Sequence, residues 1–370
     1  MVLLSVSSVM NTVLAVLLAI LILLAMITVH EFGHYVAGKI LGFKINEFAI
    51  GFGPKLFRRI SKKNGEAFSI RLLPLGGYCA FYGEDEEGDE HSFNQKAPWK
   101  RIIVFVAGPL MNYLLALLLI IISMFAFGQM LFKVTSIAPA EEEYSSYSLC
   151  ADDVITSMNG RGIYLTTDLM SAISGCKEGD IVDAEVLRGG KKQQIQIKLR
   201  SDCDFKNSEE TGKVWRALGI GTYEGADGLS YWAVSVESCR FGFFSTIGRS
   251  FVYSFRIAGT IFKVLGELLT GHLGLSSMGG PVTTIKLTSQ IASQSVQNFL
   301  EIASYIGVNL AVFNLLPIPA LDGSKVIFCL IEWIFKKPVP RKIEAIIHAV
   351  GFVLILGFAV LVDILQFAHC

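Results

Sequence analysis

Residues 30–34 read His-Glu-Phe-Gly-His, an HExxH pattern with two histidines and one glutamate. On a helix, His30 and His34 lie on one face about one turn apart, which is the arrangement that zinc ligation requires. Glu31 lies beside them without being a ligand, so it can take a proton from a metal-bound water. These five residues therefore predict a Zn²⁺ site with hydrolytic chemistry.

The motif follows directly on a charge-free stretch from Val9 to Val29. That stretch is long enough to cross a hydrocarbon core of about 30 Å. A signal peptide is disfavoured because no basic residue precedes the stretch, the apolar run is too long, and no small-x-small cleavage site follows before His30. Ionisable residues at membrane depth are costly and usually functional, so the position of the motif favours a working metal site.

A catalytic zinc takes three protein ligands and keeps one open position. Asp322 is the best candidate for the third ligand, because it follows the break Pro317-Ile318-Pro319 in an apolar stretch. An unpaired aspartate there would be costly, whereas a zinc ion matches its charge. An N-cap of the next helix is an alternative role for Asp322 that does not exclude ligation.

Two asparagines near membrane depth are candidates for polar contacts. Asn314, one helical turn before the break, could donate to a substrate carbonyl or its oxyanion, or make an interhelical hydrogen bond. Asn112 has the same two interpretations, and the interhelical bond is favoured. For His348, in the last apolar stretch, a buried structural histidine is favoured over a ligand.

The composition is that of a multi-pass membrane protein, with 52% hydrophobic and only 17% charged residues among 370. The net charge is zero, so there is no basic excess of the kind a nucleic-acid-binding protein shows. Four spans are expected in the lipid bilayer: Val9–Val29, Ile102–Phe127, a broken segment from Phe299 to Leu316 that resumes at Val326–Phe335, and Ala345–Val362.

Basic residues predict the orientation in a cell inner (plasma) membrane. The loop from Leu41 to Arg101 carries ten of them, and the loop between the last two spans holds Lys336, Lys337, Arg341 and Lys342. The positive-inside rule places both loops in the cytoplasm. Both termini and the region from about Gly128 to Cys239 are then outside, and the active site lies towards the cytoplasmic side.

The outside region has the patterns of a small β-rich domain. Val182–Val186 and Ile195–Leu199 alternate apolar and polar residues around Gly189-Gly190, as in a hairpin. Residues 152–160 add a strand that ends in an Asn-Gly turn, and Leu165–Ser174 could form a short helix. In Phe241–Leu269 a basic residue recurs every seven positions, which predicts an amphipathic interfacial helix; a helix packed on the small domain is the alternative.

The HExxH motif at residues 30–34, together with Asn-Leu-Leu-Pro-Ile-Pro-Ala-Leu-Asp-Gly at 314–323, resembles the site-2 protease family. More narrowly, the chain is similar to bacterial regulated intramembrane metalloproteases of the sigma-factor-regulating type. Gly-Pro-Leu-Met-Asn at 108–112 and Gly-Gly-Pro-Val at 279–282 also match family landmarks. The strand at 152–160 and the Arg-Gly-Gly hairpin at 188–190 are similar to those of a PDZ domain.

The resemblance implies zinc bound by His30, His34 and Asp322, with Glu31 as general base and Asn314 as a helper that holds the substrate or its transition state. It also implies a substrate that is a single transmembrane helix, such as a pre-trimmed anti-sigma factor or a leftover signal peptide.

The predicted fold is a multi-pass α-helical membrane protein of about four transmembrane spans. It carries an inserted small α+β PDZ-like extracytoplasmic domain and a cytoplasmic β-hairpin-rich loop. The expected parts are residues 1–127 (first membrane half with the zinc motif), 128–205 (PDZ-like domain), 206–298 (region with the amphipathic helix) and 299–370 (second membrane half).

A substrate helix hides its scissile carbonyls in its own hydrogen bonds and must be held extended. Residues 66–81 could serve, because Phe68, Ile70 and Leu72 alternate and an exposed edge could add a substrate strand; a hairpin that only packs on the core is the alternative.

Two other functions use the same residues: a membrane metal transporter or sensor, and an inactive relative that binds membrane helices. Transporters usually show repeated halves, which this sequence lacks, and an inactive relative needs a broken ligand set. A hydrolase is therefore favoured. Four of the seven cysteines fall in the outside region, namely Cys150, Cys176, Cys203 and Cys239, so disulfides are an open alternative to free thiols there.

Overall fold

The computed structural model describes residues 6–84, 89–139, 144, 147–225, 227–274 and 279–369. It divides into two compact units: Met1–Ile120 with Leu275–Cys370, and Ile121–Gly274. The first unit is mainly helical, and the second contains most of the strands. The finer division into four parts at residues 127, 205 and 298 remains a prediction.

The described residues of the first unit contain five helices and most of a sixth, the helix that ends at Phe127. They are α1 (Val6–Ile40), α2 (Pro98–Phe127), α6 (Pro281–Ala292), α7 (Val296–Leu315), α8 (Asp322–Phe335) and α9 (Arg341–His369). In the described part of the chain, four helical stretches are long and apolar enough to cross a membrane: Ala15–Ile40, Pro98–Phe127, Val296–Leu315 and Arg341–Gln366. At 14 residues, α8 extends only about 21 Å, too short to cross alone. The helices therefore agree with an apolar segment that breaks between α7 and α8.

Glycines let the long helices approach one another closely. A Cβ at Gly33 of α1 would lie 2.9 Å from the Gly108 Cα of α2. A Cβ at Gly307 of α7 would lie 2.9 Å from the Ala116 Cβ and 3.2 Å from the Met26 Sδ. Small residues of this kind allow tight backbone contact where apolar surroundings give helices no hydrophobic reason to associate. The contact at Gly33 and Gly108 brings α2 directly against the HExxH turn.

Two long strands, β1 (Ile45–Ile60) and β2 (Ala67–Phe81), form the sheet of the first unit. The pairing is doubled, because Ile50 lies opposite Gly77 and also opposite Ile70. Each strand therefore bends, and residues 45–50 lie between residues 67–70 and residues 77–81. A buried core joins this sheet to α2 and α8, and it includes Phe43, Ile45, Phe81, Phe93, Val104, Phe105 and Cys329.

The exposed edge expected within residues 66–81 does not lie at Phe68 and Ile70. Phe68 pairs with both Phe48 and Arg59, and Ile70 pairs with both Ile50 and Phe57, so these residues lie inside the sheet. Among the residues that the structure describes, residues 77–81 pair on one side only and form an edge. The sequence prediction failed because alternation of apolar residues marks a strand but does not say which of its neighbours are present.

The break between α7 and α8 is held by α9. The Ala320 N–H donates to the His348 Nδ1 over 3.0 Å, and Ala320 itself has φ of +73°. Pro319 packs against Gly351, where a Cβ would lie 3.1 Å from the Pro319 backbone. His348 is thus structural, as the sequence predicted, but half-buried rather than buried. It accepts the N–H of Ala320 in the turn that follows the prolines.

The Gly-Gly-Pro-Val landmark opens α6. Asp363 of α9 accepts hydrogen bonds from the backbone N–H groups of Val282 and Thr283 at 3.1 and 3.3 Å. A carboxylate at a helix N-terminus satisfies donors that have no partner within the helix. Gly280 leaves the room that this carboxylate occupies, since a Cβ there would overlap Asp363. The landmark therefore fastens α6 to the last long helix.

The second unit is a small α+β domain followed by a long helix. Its strands are β3 (Gln129–Val134), β4 (Val154–Met158), β5 (Arg161–Gly162), β6 (Ile181–Arg188), β7 (Lys191–Lys198), β8 (Thr222–Glu224), β9 (Ser230–Trp232) and β10 (Val234–Cys239). Its helices are α3 (Thr166–Ile173), α4 (Thr211–Ala217) and α5 (Phe243–Leu269). The main sheet has the order β10-β3-β4-β6-β7, with β5 paired to β4. The predicted hairpin at Gly189-Gly190, the strand before Asn159-Gly160 and the short helix are confirmed.

Helix α5 packs on the small domain along its basic stripe. Arg256 lies 3.3 Å from Asp168 of α3, and Arg249 donates to Gln129 over 2.5 Å. The opposite face exposes aromatic residues, with Phe244 at 85% and Phe255 at 64%. The alternative of packing on the domain is therefore correct for the basic face, while the aromatic face keeps the character expected at a membrane interface.

All six cysteines in the described residues are free thiols.

Candidate metal centre

Two ring nitrogens of α1 face each other across one helical turn. The Nε2 atoms of His30 and His34 are 3.2 Å apart, and both side chains are buried. Gly108 of α2 lies against both rings, and a Cβ there would lie 2.9 Å from the His30 Cε1. The helix supplies the spacing, and the close approach of α2 fixes the rings.

Asp322, the first residue of α8, completes the group. Its Oδ2 lies 3.0 Å from the His30 Nε2 and 3.4 Å from the His34 Nε2. A tetrahedral zinc with bonds of about 2.0–2.1 Å separates its ligand atoms by about 3.3 Å. The three distances of 3.0, 3.2 and 3.4 Å match that value. The residues present therefore fit a zinc ion, and they fit it with three protein ligands and one position left open.

Each histidine has a second contact that orients it. The His34 Nδ1 lies 2.8 Å from the Val104 carbonyl oxygen, so Nδ1 carries the proton and donates it. The neutral ring then presents an unprotonated Nε2 to the metal. The His30 Nδ1 lies 3.4 Å from the side-chain amide of Asn112. The favoured interpretation of Asn112, an interhelical hydrogen bond, is borne out, and its partner is a metal-ligand candidate.

A cavity of about 310 Å³ opens at these residues. Its lining consists of His30, Glu31, His34, Tyr78, Cys79, Ala80, Phe81, Glu84, Phe105, Asp322 and Lys325. Glu31 lies against β2, since a Cβ at Gly77 would be 3.3 Å from the Glu31 Cγ. The backbone N–H of Cys79 hydrogen-bonds to the Glu31 carboxylate. The edge of the sheet, residues 77–81, therefore lies along the same cavity as the metal-ligand group and the carboxylate.

Sequence reasoning missed one cation in this cavity. Lys325 lies one helical turn after Asp322, and its Nζ is 3.2 Å from the Glu84 Oε1 and 5.2 Å from the centre of the Phe105 ring. A lysine three positions after a proposed ligand on a helix points to the same side, which is a signal that could have found it. Its partner Glu84 follows β2, and no local pattern indicates that pairing.

Asn314 is not brought into this group. It lies half-buried in the last turn of α7, and it is not among the residues that line the cavity. The four residues His30, Glu31, His34 and Asp322 converge, whereas the role of Asn314 stays a prediction.

Comparison with known proteins agrees with this geometry. The family model described as peptidase family M50 matches residues 18–358. A protein of Clostridium perfringens named as a zinc metalloprotease is 35% identical over 353 residues, which cover 94% of this chain and 97% of that protein. A protein of Fusobacterium nucleatum with the same description is 28% identical over 360 residues, covering 94% and 97%.

The chain is also similar to a regulatory protease over most of its length and to a solved PDZ domain over a short part. The regulator of sigma-W protease RasP of Bacillus subtilis is 27% identical over 428 aligned residues, covering 92% of this chain and 94% of that protein. The PDZ domain of an SdrC-like protein from Listeria monocytogenes is 28% identical, over 19% of this chain and 70% of that one, with a TM-score of 0.17. The chain thus belongs to peptidase family M50, the site-2 proteases, and is an integral membrane zinc metalloprotease.

Proposed function

We propose that this protease is an intramembrane endopeptidase that cuts the transmembrane segment of single-pass membrane proteins. Pre-trimmed anti-sigma factors and leftover signal peptides are the proposed substrate class. The observation that carries the proposal is the convergence of His30, His34 and Asp322 with Glu31 in one cavity between apolar helices. Hydrolysis next to such helices requires a substrate that reaches the site from within the bilayer.

Each residue has a proposed role. His30, His34 and Asp322 would hold the zinc, which supplies an activated water and polarises the scissile carbonyl. Glu31 would accept the proton of the attacking water and pass it to the leaving amine, as a general base and then a general acid. Asn314 would contact the substrate or its oxyanion where the extended chain leaves the cavity towards the break.

The substrate must be unwound before it is cut, and the sheet edge offers a place for it. The edge at residues 77–81 lies along the cavity, so an extended substrate strand paired with it would pass Glu31. Cys79→Pro removes the edge N–H that hydrogen-bonds to Glu31 when no substrate strand is paired there, whereas Cys79→Ala changes only the side chain. We expect the proline variant to lose cleavage with zinc retained and the alanine variant to keep it; equal activities would remove the edge from the mechanism.

The basic loops support cytoplasmic positions for the sheet and for the connection between α8 and α9, with the site towards the cytoplasm. The second unit would then be an extracytoplasmic PDZ-like domain, and the exposed aromatic face of α5, including Phe244 and Phe255, would rest in the membrane interface.

The deciding experiment uses Glu31→Gln in intact cells. Quantitative membrane proteomics should find truncated single-pass membrane proteins accumulating in this variant, and the purified variant should keep its zinc. His30→Ala serves as a matched variant that loses both zinc and cleavage. If Glu31→Gln accumulates no membrane stubs while it retains zinc, the endopeptidase proposal is wrong, and a metal transporter or sensor would be the better interpretation.

A further inference from the structure

A second cavity, of about 540 Å³, lies at the ends of three helices of the first unit. It lies between the start of α2, the end of α8 and the start of α9, and its volume is within the range of ligand pockets, about 300–1,000 Å³. Phe93 and Phe328 give it an apolar floor, and Arg101, Glu332, Arg341 and Glu344 give it a charged wall. The wall therefore offers two cations and two carboxylates.

The guanidinium groups in this wall have donors without acceptors. Arg101 is only 6% exposed, and its Nη2 lies 2.5 Å from the Glu332 Oε1. Its Nε, like the buried Nη1 of Arg341, has no hydrogen-bond partner among the residues that the structure describes. A buried donor left without a partner is destabilising, so both groups favour an acceptor inside the cavity.

The start of α9 adds to the attraction for an anion. This helix has 29 residues and begins at Arg341, directly in the cavity wall. The N–H groups of Ile343 and Glu344 donate to the Pro340 carbonyl. Among the described residues, the N–H groups of Arg341 and Lys342 remain as donors at the positive end of the helix dipole. Guanidinium groups next to a helix N-terminus match the geometry of a phosphate group.

The two carboxylates restrict which phosphate fits. Glu332 and Glu344 would repel an anion that carries no positive charge of its own. The Glu344 Oε1 lies 3.7 Å from the His348 Nε2, and a carboxylate has further lone pairs with which to accept a hydrogen bond from a ligand. A ligand that joins a phosphate to a primary ammonium complements all four side chains, because a primary ammonium donates three hydrogen bonds.

The surface beside the cavity indicates a lipid as the source of this group. Trp333, Ile334 and Phe335 at the end of α8 are 55–70% exposed, and Ile343 and Ile346 of α9 are 50% and 62% exposed. Tryptophan at the end of a membrane helix is typical of the membrane surface, and basic pockets between helices there bind lipid headgroups. We propose that this cavity binds the phosphoethanolamine headgroup of a membrane phospholipid, with its acyl chains along the apolar ends of α8 and α9.

The test uses the purified full-length protein in detergent, with thermal unfolding measured during titration with phosphatidylethanolamine. We expect this lipid to raise the unfolding temperature by several degrees and to bind at least tenfold more tightly than phosphatidylcholine or phosphatidylglycerol. Arg341→Gln should weaken the apparent affinity at least tenfold with zinc content unchanged. Lys342→Gln, at an exposed neighbouring position, is the matched control and should bind as the wild type does.

A second variant tests the same cavity in case Arg341→Gln does not fold. Arg101→Met with Glu332→Met removes both members of the ion pair at similar volume, which folded proteins tolerate better than the loss of one partner. This variant should also lose the preference for phosphatidylethanolamine. Equal stabilisation by phosphatidylglycerol, or an unchanged preference in both variants, would overturn the proposal. Equal stabilisation by soluble phosphoethanolamine would support recognition of this headgroup by the cavity, but it would overturn the proposal that the ligand is a membrane lipid.

Discussion

Asn112 can be tested as the residue that sets the tautomer of His30. It is 1% exposed; its amide nitrogen is 3.4 Å from the His30 Nδ1, and its Oδ1 has no partner in the described structure. A His30 that binds zinc through Nε2 carries its proton on Nδ1 and needs an acceptor there. Exchange of the amide oxygen and nitrogen, which differ little in shape, provides that acceptor. We therefore expect Asn112 to accept a hydrogen bond from His30 when zinc is bound.

The perturbation is Asn112→Leu compared with Asn112→Asp. Leucine removes the acceptor, and the loss of an outer partner of a metal ligand typically weakens metal binding 10–100-fold. That range corresponds to about 1.4–2.7 kcal/mol of zinc binding free energy. Aspartate keeps an acceptor at the same place and can only accept, so Asn112→Asp should bind zinc at least as tightly as the wild type.

Competition with a chromophoric zinc chelator on the purified protein measures both affinities. Asn309→Asp on α7 controls for the general cost of a carboxylate in the helical bundle. The opposite arrangement, in which Asn112 donates to an unprotonated Nδ1, predicts that aspartate is as harmful as leucine. An equal loss in the two variants would therefore refute the reasoning about the His30 tautomer.

Three further predictions concern the sheet and the cavity. Gly77→Ala puts a Cβ 3.3 Å from the Glu31 Cγ and 2.9 Å from a backbone oxygen, so turnover should fall at least tenfold with zinc content unchanged, and unaltered turnover would contradict that contact. Lys325→Glu should lower kcat/KM at least tenfold because it sets two carboxylates against each other, and adding Glu84→Lys should restore part of the loss; no restoration would show that the ion pair is unimportant. Partial burial alone would raise the pKa of Glu47, but hydrogen bonds from Ser69, Tyr78 and Lys55 lower it to about 2. Because the folded pKa is below the ordinary value, this stabilisation is present above about pH 4.5 and is lost as the pH falls towards 2. Glu47→Gln should therefore reduce the loss of thermal stability between pH 6 and pH 3.5 by on the order of 1 kcal/mol, and an identical acid profile would contradict this.

The predictable parts of the site are those that depend on local geometry. The spacing of His30 and His34 follows from helical periodicity, and the prolines at 317 and 319 indicate a broken segment by removing backbone donors. We expected Asp322 to lie next to the histidines because a lone charge at membrane depth is costly. Its Oδ2 does lie 3.0 Å from the His30 Nε2.

What the sequence could not predict depends on long-range pairing. The doubled register of β1 and β2 moves the sheet edge from Phe68 to residues 77–81, and no alternation pattern contains that information. The pairing of Lys325 with Glu84 joins residues 241 positions apart. The interaction of Ala320 with His348 also requires knowledge of which helix packs beside the break. These features decide where a substrate could lie, although they leave the metal-ligand group itself unchanged.

The division of the ligand set between two kinds of helix position has a physical consequence. His30 and His34 are in the last third of α1 but inside the helix, where the helix and the Gly33–Gly108 contact hold them rigidly. Asp322 begins α8, and its position depends on a turn that α9 supports through the Ala320–His348 hydrogen bond and the packing of Pro319 on Gly351. In a continuous membrane helix, side chains project sideways from the helix axis. The break instead makes Asp322 the first residue of α8, and from there it points towards α1. The prolines therefore contribute to ligand geometry as much as to chain direction, and a shift of α9 would reach the metal centre through Asp322 before it reached either histidine.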